Sequence, residues 1–213
     1  MTELELILIR HGVTDWNEGG IFRGHEDVRL NAVGIAQADA TAEVLKDRVF
    51  EAVYSSPLKR AFVSARRVAL PHEIDVRPHD GFLDVSYGAW QGLKESTVKE
   101  KYPVAYDKWL KTPAKVKFPG GENMKKAWKR VNSALRELLF MHGTGTVVIV
   151  THRIPLKFMT TYLLRESPDD FYKVKHDPCA ISIFKIDGRN YSSVVLNDSR
   201  HLAKLNLPPP KDF

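Results

Sequence analysis

The sequence predicts an α/β protein built as a three-layer sandwich: a mostly parallel central sheet, helices on both faces and a small helical cap. Two observations carry that expectation. Short apolar runs alternate along the chain with segments of amphipathic helical period, the pattern of strands joined through helices. Two of the runs, LELILI at Leu4 to Ile9 and TVVIVT at Thr146 to Thr151, are almost continuously apolar, as interior strands covered on both faces must be. A chain of 213 residues is long enough to bury one large core. It is expected to form a single domain over residues 1–213, with a cap insertion at about 93–121.

The elements follow in order. Leu4 to Ile9 is a buried strand that ends at Arg10, where polar and glycine residues begin. Asn31 suits a helix N-cap, and Ala32, Ile35, Ala36, Ala38, Ala42 and Leu45 give the helix through about Arg48 an apolar face. Ala52 to Tyr54 is a second short strand. Ser56-Pro57 reads as a helix start, with Leu58, Ala61, Ala65 and Val68 at helical spacing. A third strand is expected at Ile74 to Arg77. Pro103, Pro113 and Pro119 break the stretch 93–121 into two short helices and a loop, the cap. A long amphipathic helix runs from Glu122 to about His142-Gly143 on Ala127, Trp128, Val131, Leu135, Leu138 and Leu139. After the Thr146 to Thr151 strand come a helix from about Pro155 to Leu164 and two strands, Ile181 to Ile186 and Ser192 to Leu196, joined by Asp187-Gly188 turn chemistry.

Composition narrows the function classes. One cysteine, Cys179, cannot close an internal disulfide, so the chain is read as cytoplasmic. No stretch approaches the roughly 20 apolar residues that span a bilayer, and no leader pattern is seen, so no membrane association is expected. The net charge of +6 is concentrated in residues 94–130, which hold eleven Lys/Arg against four Asp/Glu. That segment is either a solvated lysine-rich surface or a positive rim that gathers anions. No nucleic-acid reader motif accompanies it, so a nucleic-acid partner is not expected.

In an α/β sheet, ligands bind beyond the carboxyl ends of the strands. Strand one delivers Arg10-His11-Gly12 there, strand two Ser55-Ser56-Pro57 and then Arg60, and the later central strand Thr151-His152-Arg153. Any one of these histidines is more often structural than catalytic. Two histidines and two arginines at one sheet edge are a constellation with a chemistry. Neutral imidazole is a nucleophile that forms a hydrolysable phosphoramidate. A phosphoryl group in transfer spreads negative charge over three equatorial oxygens, so the site needs fixed donors above all. Arg10 and Arg60 supply planar, permanently charged forks, a protonated His152 a further donor and Asn17 an amide N–H. His152 also precedes a helix, whose N-terminal amides favour an anion.

The segments around these residues resemble those of the histidine phosphatase superfamily, also called phosphoglycerate mutase-like. RHGVTDWN from Arg10 is similar to that family's RHGxTxxN signature, and FRGHEDVRLNAVGIAQA from Phe22 to its helix-entry segment. SSPLKRA, FLDVSYGAWQG, FPGGEN, VTHR and NDSRHL resemble further family segments, in order, over nearly the whole chain. The resemblance implies a phosphohistidine on His11, an anion pocket of Arg10, Arg60 and His152 helped by Asn17, no metal and no cofactor. It makes Asp84 the matching proton donor, although the family more often has glutamate there. Arg23, Gly24 and His201, in the matching segments, are carried as substrate-binding candidates. Arg153 stands where the family has glycine; it either extends the anion pocket or covers the first helical turn, the second being preferred. The expected partner is a small phosphorylated metabolite, and a homodimer is one option for the assembly.

Other chemistries fail on spacing. A cysteine phosphatase needs arginine six residues after its nucleophile, but Lys185 stands six after Cys179. No GxxxxGK[ST] or GxSxG exists, and the eight histidines are scattered without metal-ligand spacing. Within the resemblance, a phosphatase is expected over a phosphoglycerate mutase because Gly92 to Gly121 is short. A non-catalytic phospho-metabolite binder is the third reading, disfavoured because all four charged residues are retained.

Overall fold

The computed structural model describes residues 3–206. Its elements are β1 (Leu4–Arg10), α1 (Asp15–Glu18), α2 (Ala32–Leu45), β2 (Ala52–Ser55), α3 (Lys59–Ala69), β3 (Val76–Pro78), α4 (Glu95–Lys101), α5 (Pro103–Lys111), α6 (Met124–Met141), β4 (Gly145–Thr151), α7 (Arg153–Leu163), β5 (Ile181–Asp187) and β6 (Asn190–Asp198), with short 3-10 turns between them. The sheet has six strands in the order β3-β2-β4-β1-β5-β6. The first four are mutually parallel; β5 and β6 form an antiparallel hairpin added at the β1 edge.

Alternation along β1 divides the core into two layers, because successive side chains of a strand point to opposite faces. Leu4, Leu6 and Leu8 pack with α6, α7 and, from the segment 93–121, Trp109 and Phe118. Ile7 and Ile9 pack with Leu45, Val53, Ala65 and Val68 against α2 and α3. The three-layer sandwich follows directly. Among the described residues no helix is long and apolar enough to cross a membrane.

Two helix starts and one buried face differ from the sequence reading for local reasons. Helix α3 begins at Lys59, beyond Ser56-Pro57, after the Ser56 hydroxyl has accepted the Leu58 N–H at 3.3 Å. Helix α7 begins at Arg153, with Pro155 inside the first turn, where its missing N–H leaves no intrahelical bond unmade. Helix α2 has the predicted Asn31 cap, whose side chain accepts from Gly34 N, but its buried face is rotated onto Gln37 and Thr41 as well as Ala38, Ala42 and Leu45. Those two polar side chains are partnered: Gln37 Oε1 accepts the Val13 N–H at 3.0 Å and Thr41 Oγ1 donates to the Cys179 carbonyl at 3.2 Å.

Candidate active site

The register of β1 against β4 sets Arg10 opposite Thr151, and the His11 N–H donates to the Thr151 carbonyl at 2.9 Å. The two residues that follow the strand ends, His11 and His152, therefore stand side by side with ring centroids 5.1 Å apart. On the other side of β4, Ser56 N donates to Val150 O at 3.1 Å, which brings Ser56 and the first turn of α3 to the same edge. Arg60 projects from that turn. The chain turns after His11 through Gly12, where a Cβ would overlap the Gly34 carbonyl of α2. Only glycine permits that approach.

Arg10, His11, Arg60 and His152 are all buried. His11 Nδ1 lies 2.6 Å from the Gly12 carbonyl, which can only accept, so the ring proton sits on Nδ1. Burial, then Arg60, Arg10 and Arg23, hold the ring well below the ordinary histidine range. A neutral imidazole with its proton on Nδ1 carries its lone pair on Nε2. His152 is also neutral, through burial and then Arg60, which corrects the expectation of a protonated donor. Its Nδ1 accepts from Arg60 Nε at 3.2 Å, so Nε2 carries the proton and donates to Ser56 Oγ at 2.8 Å.

The arginines are fixed by backbone carbonyls. Arg60 Nη1 donates to Glu26 O at 2.8 Å, and Nη2 to Gly24 O at 2.7 Å and to Asp84 Oδ2 at 3.2 Å. Arg10 Nη1 donates to the His176 carbonyl at 2.8 Å. Gly24, expected among the substrate contacts, instead holds Arg60 through its carbonyl, at φ +54°. Asn17 Oδ1 accepts from Thr14 N and Oγ1, both at 3.0 Å, which leaves the Nδ2 amide as its donor.

A cleft over His11 is lined by Ile21, Phe22, Arg23, Asp84, Tyr87, Arg153 and Ile154. Arg23 belongs to this wall, and neither its Nε nor its Nη1 has a hydrogen-bond partner. Burial and the charges of Arg10 and Arg60 bring its guanidinium down to about 9. Arg153 also faces the cleft and hydrogen-bonds Tyr87, so the preferred reading, a cover for the helical turn, is corrected in favour of the pocket. His201 is corrected outright. It lies behind α2, bonded to Thr41 Oγ1 at 3.1 Å, and lines a separate cavity with Val44, Arg48 and Val195. None of the lysines of residues 94–130 lines the His11 cleft.

Four guanidiniums, the Asp84 carboxyl and two neutral imidazoles make a receptacle for a compact dianion beside a nucleophilic nitrogen. Sequence reasoning gave no role to Ser56, Tyr87 or His176; Ser56 and Tyr87 lay inside singled-out segments, and His176 acts through a carbonyl, which no side-chain pattern signals. Among the described residues no group of three or more His, Cys, Asp or Glu could hold a metal ion.

Fold and site together define an α/β protein with a receptacle for a phosphoryl group. Residues 6–199 match the model of the histidine phosphatase superfamily (branch 1), and the chain belongs to that superfamily. It is 32% identical over 208 residues to phosphoserine phosphatase 1 of Hydrogenobacter thermophilus, covering 98% of this chain and 99% of that one. It is 36% identical over 154 residues to a metal-independent phosphoserine phosphatase of Arabidopsis thaliana, covering 70% of this chain and 63% of the relative. The structure of a phosphoserine phosphatase mutant from Entamoeba histolytica in complex with phosphoserine superposes with a TM-score of 0.84 at 28% identity, over 93% of this chain and 99% of that one.

Proposed function

We propose that this protein is a metal-independent phosphatase that hydrolyses small anionic phosphate monoesters through a phosphohistidine on His11. The observation that carries the reading is the neutral His11 ring, its Nε2 lone pair available amid buried guanidiniums. Nε2 attacks phosphorus in line, the bond to the leaving oxygen breaks, and Asp84 gives that oxygen its proton. Water then attacks the phosphohistidine and loses a proton to Asp84, which regenerates His11 and releases inorganic phosphate. Arg10, Arg23 and Arg60, with Arg153 and the Asn17 amide, stabilise charge on the transferred group. The neutral His152 donates through Nε2–H, exchanging Ser56 Oγ for a phosphoryl oxygen. The similarity to phosphoserine phosphatases supports water as the acceptor, and a small phosphorylated hydroxy compound of the phosphoserine kind as the substrate.

The test is His11→Ala, assayed with p-nitrophenyl phosphate and phosphoserine in excess chelator. Wild type should turn over fully in chelator, and the variant should lose at least about 10³-fold in kcat while still binding vanadate. Quenching wild type with labelled substrate in alkaline detergent should trap base-stable, acid-labile phosphate on His11. Label on serine or cysteine, an active alanine variant, or activity that returns only with added metal would overturn the proposal.

A further inference from the structure

The segment that carries Asp84 belongs to no strand or α-helix, yet nearly every carbonyl along it is taken. Arg130 of α6 reaches over it: Nη1 donates to Asp80 O, Gly81 O and Leu83 O at 3.4, 3.0 and 3.0 Å, and Nη2 to Asp84 O at 3.3 Å. Thr151 Oγ1 donates to Phe82 O at 2.6 Å, and His25 Nε2 lies 2.9 Å from Asp84 O. Arg130 is itself locked by Glu122 in a two-point pair, Nε to Oε1 at 3.0 Å and Nη2 to Oε2 at 2.9 Å. Glu122 closes the far end of the segment, its N–H donating to Ser86 O at 2.8 Å and its Oε2 accepting Ser86 N at 3.2 Å.

We propose that Arg130, locked by Glu122, is a positioning residue that sets how far the Asp84 carboxyl reaches into the cleft. The inference rests on the reading of Asp84 as proton donor. An aspartate has one methylene less than a glutamate, so its reach depends on where its backbone stands. A fork that holds four successive-turn carbonyls fixes that backbone, and a guanidinium does so where a single ammonium cannot. Arg130 hydrogen-bonds Glu122 and backbone carbonyls and not a side chain of the cleft wall; it acts on the chain that bears Asp84. A displacement of about 1 Å at a reacting group costs up to about 10²-fold in rate.

The experiment measures, for each variant, the ratio of kcat/KM for glycerol 3-phosphate to that for p-nitrophenyl phosphate, whose leaving group needs little protonation. Asp84→Asn should lower this ratio by about 10²-fold or more. Arg130→Lys should lower it by about 10-fold, and Glu122→Gln, which keeps the side-chain shape, in the same direction by a smaller factor. In the Asp84→Asn background, Arg130→Lys should leave the ratio unchanged. If Asp84→Asn slows both substrates equally, the donor assignment fails and the proposal with it. If Asp84→Asn lowers the ratio but neither Arg130→Lys nor Glu122→Gln does, the donor assignment stands and the positioning role is overturned. An equal loss from Arg130→Lys with and without Asp84 would also overturn it.

Discussion

Arg23→Gln should make the protein more stable and a poorer binder of phosphate. The Arg23 guanidinium stands in the cleft wall, and burial followed by Arg10 and Arg60 brings it from the ordinary arginine range down to about 9, with only Asp84 among the larger influences opposing them. That displacement corresponds to about 5 kcal/mol against the charged form. Part of the side chain reaches water, which screens the repulsion, and a neutral amide retains some burial cost. The expected gain is therefore nearer 1–2 kcal/mol, or about 2–8 °C in Tm for a chain of this length. The same cation has Nε and Nη1 without partners. A hydrogen bond from a charged donor to a dianion contributes about 1.5–3 kcal/mol, so affinity for inorganic phosphate should fall roughly 10- to 100-fold. Thermal unfolding with and without phosphate measures both effects: the variant should melt higher alone and gain less from ligand. A variant that melts lower than wild type, or binds phosphate as tightly, would refute the argument.

Two further outcomes follow from burial and backbone geometry. His176, buried and held at about 3 against 6.5 when exposed, binds fewer protons folded than unfolded below pH 6.5, so stability is complete above that pH and declines as pH falls. His176 alone should remove about 2 kcal/mol by pH 5, and His11 and His152, lowered in the same direction, add to it; urea unfolding at pH 7.5 and 5 tests this, and equal stabilities would contradict it. Gly24→Ala places a Cβ 2.5 Å from Gln91 Oε1 and 2.8 Å from Val85 O at φ +54°, so it should cost about 1–3 kcal/mol and slow turnover by disturbing the carbonyl that holds Arg60. Wild-type Tm and kcat/KM in that variant would contradict the reading.

The sheet was legible because its strands are uniform: Leu4 to Ile9 and Thr146 to Thr151 have a single physical solution, burial on both faces. The residues after those strands, His11 and His152, were legible for the same reason, since a strand end fixes where its successor stands. Helix α2 was read less well. Its buried face includes Gln37 and Thr41, which serve backbone groups of the His11 turn and of Cys179, and a search for apolar spacing passes over them. Ionisation was misread at His152, because the burial of two imidazoles among guanidiniums is a tertiary fact. His201 failed because a segment match carries no direction: the side chain turns to Thr41 and away from the cleft. Arg130 stood in a run of surface-like lysines, and nothing in its spacing separates it from Lys129 or Lys126.

The adjacency of β1 and β4 has a consequence for how such a molecule can diversify. Their pairing brings residues 11 and 152 together through seven matched positions, from Leu4 opposite Gly145 to Arg10 opposite Thr151. All of the chain between them, including α4 and α5, is an excursion that leaves one strand and returns to its neighbour. The length of that excursion does not enter the register. The segment 93–121 can therefore be lengthened, shortened or exchanged without moving one histidine relative to the other, so the spacing of the two rings and the length of the chain between their strands are inherited as separable parts.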